Sequence, residues 1–280
     1  MPIFALSYPD FNPVALEIGP FVVKWYGLAY MAGLLLGWLY IRRLLASPSL
    51  WPRGVPPFQS FRTDDLLLFM TIGVVIGGRL GFVLLYEPAY YLTRPLEVLQ
   101  VWRGGMAFHG ALLGCGAAIW AFSRWYKVSM FGAMDLCAAA VPIGLFFGRL
   151  ANFINGELWG RPSDVPWAMP FPEAQQMFPH LGVVPRHPSQ LYEAALEGLA
   201  LFLLLRFMTH YRGALQSPGL VTGMFLVGYG LARSFCEIFR SPHFNVGPLT
   251  AGMVYSIPMI LLGLYFIVTS RSRPAHVERA

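Results

Sequence analysis

Charge is what this sequence has least of. Only 12% of its 280 residues are charged and 56% are apolar, with a mean hydropathy of +0.54. Soluble domains carry about 25% charged and roughly 45–50% apolar residues. Half the usual charge excludes an ordinary water-covered surface and leaves lipid as the main solvent. Lysine is nearly missing, since Lys24 and Lys127 are the only two among 20 basic residues. The net charge of +6 and the pI near 9.4 therefore come from arginine. No Lys/Arg cluster marks a soluble face, which excludes a nucleic-acid-binding domain. Positive cytoplasmic loops, and arginines that serve an anionic ligand, account for the basicity instead.

Cysteine is scarce too. Cys115, Cys137 and Cys236 fall in apolar runs without CxxC or Cys/His spacing. A thiol there behaves as a small buried hydrophobe rather than a nucleophile or disulfide partner. No metal motif occurs. The opening MPIFALSYPD lacks a basic region and a cleavage site, so a removable signal peptide is not expected and insertion falls to the first span. No internal repeat or inverted pair of interrupted helices appears, which counts against a secondary transporter.

What is present is a series of long apolar runs. A span needs about 20 mostly apolar residues, and seven stretches qualify: Phe21–Ile41, Leu66–Tyr86, Met106–Phe122, Gly132–Ala151, Leu191–Met208, Leu220–Phe239 and Leu249–Thr269. The expected fold is an all-α integral membrane protein, one polytopic domain over residues 1–280. Arg42, Arg43, Arg53 and Arg62 follow the first span, Arg124 and Lys127 the third, and Arg271, Arg273 and Arg279 the last. By the positive-inside rule these ends are cytoplasmic, so the N-terminus lies outside and the C-terminus inside. Residues 155–189, rich in Pro, Gly and aromatics, then form an outer connection between spans four and five. A loop this long is usually functional and is read as a small extracytoplasmic cap, with a passive loop as the alternative.

Ionisable groups inside spans are functional candidates because lipid makes them costly, at about 2.5–3.5 kcal/mol each. Arg79, His109, Asp135, Arg149, Glu157, Arg233 and Glu237 lie in or beside spans. The orientation brings His109, Arg149, Asn152, Glu157, Tyr229, Arg233 and Glu237 to the outer ends, with Trp25, Tyr26 and the HPSQ run ending at Gln190. Tyr229, Arg233 and Glu237 repeat every four residues and share one helix face, as do Arg149 and Asn152. Asp135 sits at the cytoplasmic end and is expected to cap its own helix or pair with a nearby base. Bland alternatives stand beside each: a structural Arg233–Glu237 ion pair, a snorkelling Arg149, a core His109, and Trp25 and Tyr26 as aromatic-belt anchors. Two arginine forks suit a phosphate, and a phosphate reached from lipid belongs to a phospholipid. The residues alone point to an enzyme or a carrier for an anionic lipid at the outer leaflet.

The run GRLANFINGELWG at residues 148–160 closely resembles the signature of the bacterial prolipoprotein diacylglyceryl transferases. WYGLAY at 25–30, GGRLGFVLLY at 77–86, WRGGMAFHG at 102–110, RHPSQLYEA at 186–194, GYGLARSFCEIFR at 228–240 and SIPM at 256–259 extend the likeness over nearly the whole chain. The resemblance implies transfer of the diacylglyceryl group of phosphatidylglycerol to the lipobox cysteine thiol of an exported prolipoprotein. A thioether forms and glycerol phosphate is released, in the bacterial inner membrane and without a cofactor. It maps the family's functional residues onto Tyr26, His109, Arg149, Asn152, Glu157, Gly160, Tyr229, Arg233 and Glu237, with Arg149 the phosphatidylglycerol-binding position. Arg79 and Gln190 join the candidate substrate-binding set by position. Ala111 stands where the family often has Gly, and Met253 where Gln is common. An anionic-lipid carrier or flippase, using the same arginines, is the alternative, and a non-catalytic assembly protein a third reading.

Overall fold

The computed structural model describes residues 6–9, 11–241 and 245–273. A short hairpin, β1 (Val14–Ile18) and β2 (Phe21–Lys24), leads directly into α1 (Trp25–Leu45). The first helix therefore begins four residues later than the hydropathy suggests. Gly19, at φ 57°, makes the tight turn, and Val22 and Val23 favour the strand. There follow α2 (Thr63–Leu85), α3 (Phe108–Tyr126) and α4 (Met130–Ile154). Next comes α5 at residues 189–211, in which the π-helical segment Ala194–Ala200 joins Ser189–Glu193 to Leu201–Tyr211. The last two are α6 (Leu220–Cys236), three residues shorter than expected, and α7 (Ala251–Ser270).

Among the described residues four helical stretches are long and apolar enough to cross a membrane: Trp25–Leu45, Ser60–Leu85, Met130–Ile154 and Ala251–Ser270. α6 is apolar but shorter. A helical membrane protein is the architecture these stretches support.

Small residues set the helix pairs, as expected where lipid removes the hydrophobic drive and van der Waals packing must hold helices together. A Cβ on Gly81 of α2 would lie 2.7 Å from the Cα of Gly110 on α3, and one on Gly223 of α6 would lie 2.7 Å from the Gly263 carbonyl of α7. The main apolar core gathers at one end of the bundle around Leu44, Phe58, Phe122, Leu136, Leu205 and Val221. At that end Asp135 of α4 takes a role the sequence reading missed. It caps α6 rather than its own helix, accepting from the backbone N–H of Gly219 (2.7 Å) and from the N–H (2.8 Å) and hydroxyl (2.6 Å) of Thr222. Ser129 caps α4 instead.

At the other end, residues 155–189 fold over the helix ends. Backbone bridges pair Gly160 with Arg240 and Arg186 with both Pro162 and Met169, and a short helix runs over Pro172–Met177. Phe153, Phe171 and Ala174 make a second apolar cluster against Tyr8, whose hydroxyl donates to the Phe153 carbonyl at 2.6 Å. Burial pushes that phenol up to about 12.

Candidate functional site

The polar end of the bundle is organised around arginines from two helices. Arg149 lies in the last two turns of α4 and Arg233 in the last turn of α6. Both reach the same carboxylate oxygen: Arg149 Nε is 2.8 Å and Arg233 Nη1 3.4 Å from Glu193 Oε2. Both also reach Glu197, with Arg149 Nη2 3.3 Å from Oε2 and Arg233 Nη1 3.6 Å from Oε1. Arg233 Nη2 lies 2.9 Å from Glu237 Oε2, and Arg240 Nη1 lies 3.3 Å from Glu193 Oε1. Arg161 anchors the backbone of Arg240 by donating from Nε to its carbonyl at 2.8 Å. Tyr229 stands within electrostatic reach of Arg149, Arg233, Glu193 and Glu197.

Glu193, Glu197 and Arg240 are the members that the sequence reading passed over. The first two lie inside the fifth expected span, in the run YEAALEGLA, and so carry the same cost in lipid as the arginines. That cost was the available signal. Arg240 counts in the sequence only as a loop charge. The π-helical segment bears Glu197 and follows Glu193; such segments recur at functional sites. Within it, Gly198 lets α5 press on α4, where a Cβ would meet the Phe146 Cα at 2.7 Å.

Several buried polar atoms here make no hydrogen bond among the described residues: Glu197 Oε1, Arg233 Nη1, Glu237 Oε2 and Gln190 Oε1. The Arg233–Glu237 contact is thus an ion pair without hydrogen-bond alignment. Buried polar atoms are nearly always satisfied, so the cluster holds spare donors and acceptors in one place.

Beside it, the segment from Glu157 to Gly160 is fixed from two sides. Asn152 donates to the Glu157 carboxylate at 2.8 Å and Asn155 at 3.4 Å, while Gln190 donates to the Glu157 carbonyl at 2.6 Å. Ser189 donates to the Leu158 carbonyl at 3.1 Å, which helps hold Leu158 at φ 59°. Gly160 is a packing point: a Cβ there would run into the Phe239 carbonyl oxygen and sit 2.8 Å from His187.

Three expected members stand apart from the arginine cluster. Arg79 is buried and spends its donors on main-chain carbonyls, reaching Glu97 (2.7 Å), Val98 (2.8 Å) and Gly104 (2.6 Å), so it latches the connection between α2 and α3. His109 is exposed at one end of an open apolar trough of about 700 Å³ between α2 and α3. Its ring meets Tyr255 edge-on at 5.5 Å and makes no hydrogen bond among the described residues. Tyr26 opens α1 with its hydroxyl 3.1 Å from that of Tyr30. Among the described residues no group of three His, Cys, Asp or Glu side chains is placed to hold a metal ion.

Comparison with known proteins decides the family. The model of the prolipoprotein diacylglyceryl transferase family matches residues 13–269. The chain belongs to the prolipoprotein diacylglyceryl transferase family. A phosphatidylglycerol–prolipoprotein diacylglyceryl transferase of Rhizobium meliloti (strain 1021) is 50% identical over 275 residues, covering 96% of this chain and 96% of its own. Proteins of the same name from Rhodopseudomonas palustris (strain ATCC BAA-98 / CGA009) and Methylocella silvestris (strain DSM 15510 / CIP 108128 / LMG 27833 / NCIMB 13906 / BL2) are each 50% identical. They cover 98% and 97% of this chain and 94% and 98% of their own. Membership of this transferase family agrees with the apolar helices in marking a multi-pass membrane enzyme.

Proposed function

We propose that this chain transfers the diacylglyceryl group of phosphatidylglycerol to the lipobox cysteine thiol of exported prolipoproteins. The observation that carries the reading is the meeting of Arg149 and Arg233 on one oxygen of Glu193. All seven helices cross the bacterial inner membrane, with the N-terminus outside and the C-terminus in the cytoplasm. That orientation places the arginine cluster at the outer leaflet, under a cap made by residues 155–189.

In this reaction the bond between a glyceryl carbon and a phosphate-ester oxygen breaks, a carbon–sulfur bond forms, and the thiol gives up its proton. Glycerol phosphate leaves with the bonding electrons. The barrier falls when the phosphate is held in line and its growing charge is met by fixed cations. Arg149 and Arg233 supply two guanidinium forks for that phosphate, and Arg240 steadies Glu193 behind them. Glu157, held by Asn152, Asn155 and Gln190, orients the glycerol head group through its carboxylate, with Tyr229 and Tyr26 lining the approach. The thiol proton passes to a base at the site, for which His109 is the candidate committed to no ion pair and Glu237 the one that Arg233 engages at 2.9 Å. Arg79 acts on the loop it latches, and Gly160 on the fit of the cap to α6.

The test is the product itself. Purified protein incubated with phosphatidylglycerol and a lipobox peptide gives a peptide heavier by one diacylglyceryl group, carried on sulfur. Folded protein that leaves the peptide unmodified overturns the assignment.

A further inference from the structure

The charges in the buried cluster cancel. Arg149, Arg233 and Arg240 face Glu193, Glu197 and Glu237, so the set is neutral before any anion arrives. A phosphodiester seated on Arg149 and Arg233 adds one negative charge and draws guanidinium N–H groups away from the carboxylates. In a buried setting, a carboxylate left without its cation is strongly disfavoured. Either the anion binds poorly or one carboxylate takes a proton.

The three carboxylates do not lose equally. Glu193 keeps Arg240, whose Nη1 is 3.3 Å from its Oε1. Glu237 rests against Gly252, where a Cβ would sit 2.6 Å from its Cδ, in the first turn of α7. Free backbone N–H groups at a helix start favour negative charge. Glu197 has neither support. Its cations are Arg149 at 3.3 Å and Arg233 at 3.6 Å, the two that a phosphate would occupy. It is fully buried, and among the described residues its Oε1 accepts no hydrogen bond. Among the described residues the other groups that face it are Glu193 on α5 and Tyr229 and Cys236 on α6. None of these adds a cation.

We infer, on the reading of the site given above, that the anionic head group enters together with a proton drawn from water, and that Glu197 holds it. An O–H bond forms on Glu197, and the loaded cluster of three arginines, two carboxylates and one phosphodiester is again neutral. Binding is then linked to pH. Affinity for phosphatidylglycerol rises by about tenfold for each unit the pH falls, over the range where Glu197 is ionised in the free protein and protonated in the complex.

The experiment is calorimetric titration of the full-length protein with short-chain phosphatidylglycerol, in two buffers of different ionisation enthalpy. Wild type is expected to take up about one proton per lipid bound. Glu197→Gln, which imitates the protonated group, is expected to take up none and to bind with an affinity that no longer changes with pH. No uptake by wild type, or undiminished uptake by Glu197→Gln, overturns the inference. If Glu197→Gln does not fold, infrared difference spectra of wild type with and without bound phosphatidylglycerol decide. A new protonated-carboxyl band on binding supports the inference, and its absence overturns it. Failure of the site reading looks different: saturable binding is then absent, or survives Arg149→Ala. Binding that requires Arg149 yet moves no proton removes only the role given to Glu197.

Discussion

The helices α4 and α6 meet over a buried polar cluster at each of their ends, and the two clusters are built on different principles. At one end Asp135 accepts three hydrogen bonds from Gly219 and Thr222, which satisfies both of its oxygens. Donor and acceptor match, and that cluster does one thing, which is to fix the start of α6 against α4. At the other end, arginines and glutamates share oxygens, and donors and acceptors are left over on Glu197, Arg233 and Glu237. A matched cluster is a fastener. A cluster with spare valence has room for something else, and here the spare donor, Arg233 Nη1, is one that would grip a phosphate.

The comparison breaks first at Arg149. Arg149→Lys keeps the charge but loses the fork, so initial rates of peptide modification should fall roughly 100-fold or more while the protein still inserts and folds. Asp135→Ala should do the reverse. It strands the N–H groups of Gly219 and Thr222, lowering stability by roughly 1–3 kcal/mol, read from thermal unfolding in detergent, with turnover per folded molecule kept. Gly160→Ala sharpens the contrast from the side of the 155–189 segment. Its Cβ presses on the Phe239 carbonyl and His187, so we expect a loss of about 1–3 kcal/mol, together with a drop in turnover as Glu157 and Arg240 shift. Arg79→Gln should affect catalysis less than either and instead speed proteolysis at residues 94–105, because the carbonyls of Glu97, Val98 and Gly104 lose their donor. The smallest effect belongs to Tyr8. Its phenol ionises at about 12 in the folded chain and near ~10 when unfolded, so stability is level at lower pH and declines as pH rises between those values. Tyr8→Phe should abolish that decline and cost about 1 kcal/mol at neutral pH.

The arginine pair was legible in the sequence because charge in an apolar run is rare, and because spans expected to alternate in direction would carry the marked residues to one depth. Glu193 and Glu197 obey the same rule on the fifth segment and were equally open to it. Arginines draw attention as anion binders, whereas the acids that hold two guanidinium groups side by side draw little. Asp135 was expected to cap its own helix or pair with a base, but the helix it caps begins 84 residues away along the chain, beyond the reach of local pattern. Arg79 shows the limit from the other direction. Depth and charge marked it, yet only the path of the following loop reveals that its donors are already taken. The start of α1 depended on a hairpin whose Val-rich strand reads, by hydropathy alone, as more of the span.

Everything turns on Arg149 and Arg233 acting together on one phosphate. The most direct measurement is a double-mutant cycle on kcat/KM for phosphatidylglycerol with Arg149→Lys, Arg233→Lys and the pair. Residues that grip one group lose function together, so the double variant should be little worse than the weaker single variant. Losses that simply multiply, or a double variant with near wild-type turnover, would contradict a shared phosphate seat.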